Sequence, residues 1–344
     1  MLNLGRVFQI RDLICREIRV DSEKTFLNRF EQQLREIDEE LEKGFNSAIP
    51  LMDDIGRHAL LGQGKRLRPL LFVLSSRLCG YKDTNIYSIS TLFEYFHCAS
   101  LLHDDVIDNA ETRRNKPSAR TLWGNSASVL TGDYLSSKAM LLALSANNFN
   151  FLKMIADTGV RMSEGQFLEL VHANDWEIAR EQYMEIIIAK TAELISAACA
   201  CGGIISNAGE EGIRGLKNFG LNLGIAFQLI DDLLDYSSSE KELGKPAGKD
   251  LKEGKITLPL IYALTGMDRD ERQRMEDLFT NVNADEADYQ KLLTTVKYSG
   301  AIDRVREEAK GYADRASESL DRLPASSYKD DLIYLNEYMS LRSR

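Results

Sequence analysis

The sequence has little proline and no long uncharged apolar run. Only 6 of the 344 residues are proline, the residue that most strongly interrupts helices, so the composition favours helix along most of the chain. No stretch approaches the roughly 18–20 uncharged apolar residues that a membrane-spanning helix requires, and we expect no transmembrane segment. The N-terminal stretch has spaced arginines, but Asp12, Glu17 and Asp21 argue against a transit peptide.

Cysteine and histidine also lack the spacing that would indicate bridges or metal sites. The 5 cysteines are an odd number and show no CxxC pair, which disfavours a disulfide framework and a zinc knot. Buried thiols in a reducing compartment are the simpler interpretation, so we expect a cytoplasmic protein. The 4 histidines are scattered and do not supply the Glu-x-x-His pairs of a carboxylate-bridged di-iron bundle.

The charge balance is acidic. Lys and Arg number 43 against 53 Asp and Glu, which gives a formal net charge of −10. Nucleic acid is bound by broad basic surfaces, so we expect no nucleic-acid partner. An acidic total still permits small groups of cations at chosen positions.

Apolar residues recur with helical period over most of the chain, and strict two-residue alternation is missing. The predicted helical segments are 92–108, 127–145, 151–171, 179–200, 213–236 and 256–266. No linker rich in Pro, Gly or Ser divides the chain. We therefore predict an all-α protein with a single domain over 1–344, in which the more charged residues 268–344 form outer amphipathic helices.

One pattern of carboxylates occurs twice in apolar surroundings. The two copies are Asp104-Asp105-x-x-Asp108 and Asp231-Asp232-x-x-Asp235. Positions i and i+4 share one helix face, where like charges repel unless something compensates them. Mg²⁺, which takes one or two carboxylates and completes its shell with water and phosphate, resolves that conflict. A helix cap or a solvated acidic face explains most single matches, but is a poor explanation for two.

Basic residues follow or precede both acidic motifs, as a diphosphate site would need. They are Lys65, Arg66 and Arg68 upstream, Arg113 and Arg114 after the first motif, and Lys245, Lys249 and Lys255 after the second. Each cluster alone is typical of a solvated surface.

The segment 244–259 is predicted to be a mobile loop that acts as a lid. It is not a P-loop, because Asp250 stands where Ser or Thr is required.

Together these motifs resemble those of the trans-isoprenyl diphosphate synthases. LLHDDVID with its following RR, GKRLRP, GDYL, EGQ, KTA, FQLIDDLLD and the GK…GKD…GK…TLP stretch occur in that family's order over roughly 60–260. The resemblance implies a single large helical bundle around a deep central cavity, usually as a homodimer. It also implies the condensation of isopentenyl diphosphate with an allylic diphosphate, with ionisation, attack by the alkene and loss of a proton.

By that resemblance, the acidic motifs hold three Mg²⁺ ions. Asp104 and Asp108 are expected to bind two ions and Asp231 the third. Secondary or water-mediated ligands are expected from Asp105, Asp232 and Asp235. The residues expected to be catalytic are Asp104, Asp105, Asp108, Asp231, Lys190 and Lys245.

The same resemblance assigns the partners of both diphosphates. The allylic diphosphate is expected to contact Arg113, Lys190, Thr191, Gln228, Lys245 and, as a weaker assignment, Lys255. Isopentenyl diphosphate is expected to contact Lys65, Arg68, His97 and Arg114. Glu169 stands where the family's Gln-x-x-Asp has its Asp, and its role is left open.

Residues ahead of the first motif bear on product length. Short-chain members of the family usually have an aromatic residue four or five positions ahead, where this chain has Ala99 and Ser100. Phe96, about 12 Å below Asp104 at 1.5 Å per residue, and then Phe93 could form a floor. Ordinary core packing is an equally good interpretation of the two phenylalanines. We expect a long-chain, octaprenyl-like product from farnesyl or geranylgeranyl diphosphate, with transient membrane contact on its release.

Other functions compete with this one. A shorter-chain geranylgeranyl diphosphate synthase would use the same residues. A terpene cyclase or head-to-head synthase would leave the KRLR cluster and Arg114 without a ligand. A non-catalytic subunit of a heteromeric prenyltransferase would not need intact Asp triplets. Extension of a labelled substrate by the purified protein separates these possibilities.

Overall fold

The computed structural model describes residues 4–62, 64–114, 116–237, 248–280 and 286–340, and it is nearly all helix. The helices of the first half are α1 (Leu4–Gly44), α2 (Pro50–Leu60), α3 (Leu67–Leu78), α4 (Ile86–Ile107), α5 (Ala119–Trp123), α6 (Asn125–Ser145) and α7 (Phe149–Val171). Those of the second half are α8 (Arg180–Ile187), α9 (Glu193–Ile205), α10 (Glu210–Ser237), α11 (Lys249–Lys252), α12 (Leu258–Thr265), α13 (Arg269–Thr280), α14 (Glu286–Tyr298), α15 (Ala301–Glu318) and α16 (Ser327–Ser340). The prediction of an all-α fold is confirmed.

Two departures from the predicted elements are local. Thr112–Arg113 and Lys116–Pro117 pair as short antiparallel strands, β1 and β2, which are too brief to show a two-residue alternation in sequence. The predicted loop 244–259 lies partly outside the described residues. Its described part contains α11 and the first residues of α12.

The centre of the bundle is built from α3, α4, α6, α7, α9 and α10, which contact one another in succession. A first apolar core joins α3, α4 and α9 to α1 and α16, with fully buried Phe26, Phe72, Phe93 and Phe219. A second core joins α8 and the C-terminal half of α10 to α12, α14 and α15. The division of residues 1–344 into one domain, with 268–344 as its outer helices, stays a prediction.

The run from α8 to α9 is continuous and central. Residues Arg180–Ile205 are long and apolar enough to cross a membrane by length and composition, and 78% of their most apolar window is buried inside the protein. The stretch is not an uncharged run of the predicted length, because Lys190 and Glu193 interrupt it, and the expected absence of a transmembrane segment stays a prediction. Core helices of this kind pass the same test.

A π-helical turn, Ile188–Ala192, joins α8 to α9. Gly165 on α7 packs against it so closely that a Cβ at this glycine would lie 2.6 Å from the Lys190 backbone nitrogen. Only glycine permits that approach. Single π-helical turns are frequent at functional sites, and this one carries Lys190 and Thr191.

Candidate active site

Both aspartate motifs border one large cavity. The main cavity has a volume of about 760 Å³, and its lining includes Asp104 from α4 and Asp231 from α10. Lys190, Thr191 and Gln228 lie between these two walls and also line an adjoining cavity of about 220 Å³, the loop cavity. Residues 166, 169, 108, 232, 250, 253 and 255 belong to the loop cavity's wall as well. The two acidic helices therefore face a shared space, with cationic and polar side chains at its edge.

The three aspartates of the first motif do not all point into the same cavity. Asp104 lies 3.7 Å from the Lys190 ammonium, and the carboxylate of Asp108 accepts a hydrogen bond of 3.1 Å from Lys255. Asp105 points instead into a small cavity, where the Arg113 Nε donates to it at 2.7 Å. Burial raises the pKa values of Asp104 and Asp105, and the neighbouring cations oppose that shift.

The second motif is held by neighbouring donors. Asp231 is exposed to the main cavity, whereas the buried Asp232 accepts hydrogen bonds from the Tyr183 hydroxyl and, at 2.7 Å, from the Gln228 amide. Burial raises the pKa of Asp232 to about 7. Asp235 accepts the backbone N–H groups of Lys249 and Asp250 at 3.2 and 3.0 Å. Its carboxylate thereby fixes the start of α11 beneath the loop cavity.

Lys190 and Lys255 compensate the carboxylates across the opening. Lys190 forms an ion pair with Glu169 on α7. Lys255 donates to Glu253 at 2.9 Å as well as to Asp108. Burial, which would lower the pKa of Lys255, is outweighed by Glu169, Asp108 and Glu253, so its pKa is raised and it stays charged. Lys245, the other predicted lysine, lies outside the described residues.

A second cationic group lines the wall near the start of α3. The Arg68 Nε is buried and makes no hydrogen bond to any of the described residues. His97 lies nearby in the main cavity wall, and burial followed by the charges of Arg68 and Arg114 lowers its pKa well below the usual value. Arg114 lines the small cavity. A buried guanidinium whose Nε has no hydrogen-bond partner, beside the charge of Arg114, is a site prepared for an anion.

Lys65 is placed differently from its neighbours. Its ammonium donates to the Tyr338 hydroxyl at 2.7 Å and lies 5.1 Å from the centre of that ring. The contact ties the basic segment before α3 to the last described helix. Its part in binding isopentenyl diphosphate stays a prediction.

Of the residues predicted to control product length, some line the main cavity and the others are buried in the core. Phe96 and Ser100 line the main cavity, while Ala99 is 2% exposed within the first core. Phe93 is fully buried and packs against Phe72, with ring centres 5.1 Å apart. Of the two phenylalanines, therefore, Phe96 reaches the main cavity and Phe93 belongs to the core.

Sequence reasoning missed several residues of the site. Asp250 is half-buried beside the second motif, and desolvation with the charges of Asp232 and Asp235 raises its pKa. Glu253 and Tyr183 contact the lysine and aspartate described above. The GKD stretch could have indicated Asp250, but nothing in the sequence marks Tyr183, which meets Asp232 only in the folded chain.

Within the described residues, no three His, Cys, Asp or Glu side chains are grouped closely enough to hold a metal ion by themselves. The carboxylates face one another across a space and are separated by lysines. Such a donor set fits a metal that takes one or two protein ligands and receives the rest from phosphate and water.

Comparison with known proteins identifies the family. The family model described as polyprenyl synthetase matches residues 49–296. An octaprenyl diphosphate synthase from Escherichia coli is 37% identical over 299 residues, 87% of this chain and 92% of that protein. A Bacillus subtilis protein named heptaprenyl diphosphate synthase component 2 is 32% identical over 306 residues, 89% of this chain and 87% of that protein.

A solved structure gives the same result. The polyprenyl synthase of Caulobacter crescentus, in complex with calcium and isoprenyl diphosphate, has a TM-score of 0.87 and 34% identity. The match covers 93% of this chain and 97% of that one. With the shared fold, the opposed acidic helices and the extent of these matches, the chain belongs to the polyprenyl synthetase family and is a prenyl-transferring enzyme.

Proposed function

We propose that the protein condenses isopentenyl diphosphate with an allylic diphosphate, in a Mg²⁺-dependent reaction, to give a long-chain all-trans polyprenyl diphosphate. The observation that carries this proposal is the main cavity. Asp104 and Asp231 lie on its wall with Lys190 between them, and Phe96 and Phe227 line it further along. One space thus offers charge for a diphosphate and an apolar surface for a hydrocarbon chain.

The carboxylates suit Mg²⁺ by their chemistry, since no three of the described ones are grouped closely enough to hold a metal without further ligands. Asp104 and Asp108 would hold two ions and Asp231 a third, each completed by diphosphate oxygens and water. Asp105, Asp232 and Asp235 are already bound to Arg113, Tyr183 and backbone N–H groups. They act as supports in this proposal. When bound, Mg²⁺ supplies the positive charge that stabilises a departing diphosphate.

The side chains of the opening bind and orient the allylic diphosphate. Lys190 and Lys255 transfer from their carboxylates to diphosphate oxygens, and Lys245 joins them. The Thr191 hydroxyl donates to the Gln228 side chain at 3.0 Å, which keeps both polar groups directed at the same place. Cations fixed in advance around a developing negative charge lower the barrier to C–O cleavage.

Arg68, His97 and Arg114 hold isopentenyl diphosphate on the other side of the reaction centre. Its alkene then lies next to the allylic carbon, bonds to the carbocation, and a proton passes to the released diphosphate. The apolar side chains of Phe96 and Phe227, which line the main cavity, exclude water from the cation. Arg113, held by Asp105, supports this cationic wall.

A product assay tests the proposal. The purified protein is incubated with labelled isopentenyl diphosphate and farnesyl diphosphate, with Mg²⁺ or with a chelator, and the extracted products are sized. We expect extension only with Mg²⁺, and a product beyond geranylgeranyl length. No extension by the protein alone would refute the proposal and would favour a subunit that needs a partner, as the name of the Bacillus subtilis relative suggests.

Replacing Arg68 with Gln should weaken the binding of isopentenyl diphosphate more than that of farnesyl diphosphate. A hydrogen bond to a charged group contributes about 1.5–3 kcal/mol, so its KM should rise roughly 10- to 100-fold while the KM of farnesyl diphosphate changes less than about threefold. Arg77→Gln is the control, since Arg77 lies on the same helix and donates to the Tyr81 and Asp83 carbonyls. Equal rises of both KM values would argue against this assignment.

We also propose a homodimer formed through α6 and α7. Exposed apolar residues recur on α6 at Leu130, Leu141 and Leu144, and on α7 at Val160, Phe167 and Val171. Spacings of 3, 4, 7 and 11 residues keep each set on one helix face. Neighbouring apolar stripes of this kind mark protein interfaces.

Leu141→Asp should turn the dimer into a monomer. A charge placed in an apolar interface loses its hydration without gaining a partner. The dissociation constant of the dimer should therefore rise at least about 10-fold. Sedimentation velocity across a concentration series measures the change. Leu27→Asp is the control, because Leu27 is a comparably exposed leucine on α1. A dimer that persists unchanged in Leu141→Asp would place the interface elsewhere.

A reducing, cytoplasmic location is a further part of the proposal. Cys79, Cys98, Cys199 and Cys201 are free thiols, and all except Cys79 are buried. Burial raises the pKa of Cys199 to about 12, so this thiol is inert. Unpaired, unreactive thiols are typical of proteins from reducing compartments.

A further inference from the structure

One wall of the main cavity is formed by α7, which lies opposite the helix that carries the first aspartate motif. Four residues of α7, Gln166, Ser163, Met162 and Gly159, line it opposite α4. Gln166 is at the end near Lys190, since both also line the loop cavity. Gly159 is at the other end of this series.

Gly159 and Phe96 lie at the same depth. Phe96 precedes Asp104 by eight residues, about 12 Å along α4, and Gly159 precedes Gln166 by seven, about 10.5 Å along α7. A Cβ built on Gly159 would lie 3.6 Å from the Phe96 ring, and the ring atoms are its nearest contacts. The Phe96 ring therefore faces the bare backbone of α7.

The backbone does not require glycine at this position. Gly159 has an ordinary helical conformation, since it is not among the residues of positive φ. Its Cβ would make a normal van der Waals contact, unlike that of Gly165 on the same helix, which would collide with the backbone of the π-helical turn. Glycine inside a helix is destabilising relative to alanine. Beyond a Cβ, however, a side chain at 159 would meet the Phe96 ring on the wall of the main cavity.

We propose that Gly159 is a specificity-determining residue for product length. The growing polyprenyl chain runs through the main cavity beside the Phe96 ring and the α7 backbone, which both line it, and a larger side chain at 159 would displace that ring or take up room in the cavity. The inference rests on the proposed prenyl-chain extension. It adds a wall residue on α7 to those that the sequence indicates on α4.

The test is the size distribution of products made by Gly159→Leu and Gly159→Ala. Leu should shorten the main product by at least one five-carbon unit, and Ala should shift the distribution in the same direction. The first extension of farnesyl diphosphate, measured in a single turnover, should stay within about twofold of the unaltered enzyme. Combining Phe96→Ala with Gly159→Leu should restore the main product toward the length made by the unaltered enzyme.

The matched control is Gly212→Ala on α10. A Cβ there also makes a contact of 3.6 Å with a side chain, that of Leu323, and Gly212 does not line the main cavity. The products of Gly212→Ala should have the same length distribution as those of the unaltered enzyme. If folded Gly159→Leu or Gly159→Ala gives products of unaltered length, the role of Gly159 is refuted while chain extension stands. If the unaltered enzyme extends nothing, the proposed function fails, and this inference fails with it.

Discussion

Asp104→Asn is expected to reduce kcat by about 10²–10³ or more without destabilising the protein. Asparagine keeps the size of the side chain but removes the anionic oxygen that a hard cation requires. Loss of one electrostatic contact to a developing charge typically costs this factor. Steady-state rates with saturating substrates and Mg²⁺ measure the effect.

The stability of the same variant separates chemistry from folding. Burial raises the pKa of Asp104 above that of an ordinary aspartate, which means that the folded state disfavours its ionised form. Above the unfolded pKa, ionisation of this group therefore costs stability, and neutral asparagine removes the cost. We expect a melting temperature at pH 8 that is equal to or higher than that of the unaltered protein without metal.

Asp157→Asn is the control for this substitution. Asp157 lies on α7 in an exposed pair with Lys153, so its loss should change neither rate nor melting temperature appreciably. A kcat for Asp104→Asn within about threefold of normal would show that this carboxylate is not needed for the reaction.

Arg66→Leu is expected to lower the free energy of unfolding by about 3–5 kcal/mol, the cost of leaving one member of a buried ion pair alone. The Arg66 guanidinium donates to Glu94 at 2.9 Å and to Asp38 at 2.8 Å. The side chains of Arg66 and Glu94 are only 5% and 4% exposed. Without the arginine, Glu94 loses its buried ion-pair partner, although the charge of Arg68 still acts on it.

This substitution should also affect substrate binding. Arg66 has a φ of +49° at the N-cap of α3, and its ion pairs hold that left-handed turn between Lys65 and Arg68. Leucine, like arginine, is unbranched at Cβ, so the backbone cost is unchanged and the lost pairs explain the effect. We expect a higher KM for isopentenyl diphosphate in the folded fraction.

Urea unfolding measures the loss of stability, with Lys153→Met as the control. Lys153 and Asp157 are each 62% exposed, and such surface pairs contribute below about 1 kcal/mol. The double substitution Arg66→Leu with Glu94→Leu should recover part of the loss, because it removes the stranded charge. A cost below about 1 kcal/mol for Arg66→Leu would contradict the importance of this pair.

The sequence predicts the helices and the main motif well, for identifiable reasons. Helical period located the segments that became α4, α6, α7 and α10, because each buries one face against its neighbours. Helix α1 could have been found in the same way, since its buried Phe26, Phe30, Ile37 and Leu41 recur at four and seven residues. Asp104 and Asp231 are predicted as site residues because carboxylates in apolar helices are rare, and both line the main cavity.

The remaining features depend on contacts between distant parts of the chain. The contact of Lys65 with Tyr338 joins residues 273 apart, and the hydrogen bond from Tyr183 to Asp232 joins two helices. No local pattern encodes either one. The capping of α11 by Asp235 likewise shows that a motif identifies carboxylates without distinguishing a ligand from a structural acceptor.

The π-helical turn at Ile188–Ala192 changes the phase of a long helical run. Each residue turns an α-helix by about 100°, so one additional residue in a turn shifts everything after it by that angle relative to everything before it. Tyr183 ahead of the turn can thereby face α10 and the second motif, while Lys190 and Thr191 face the main cavity. Deleting one residue here would keep the hydrophobic composition of the run and misalign its two halves, so the length of this segment is as constrained as its side chains.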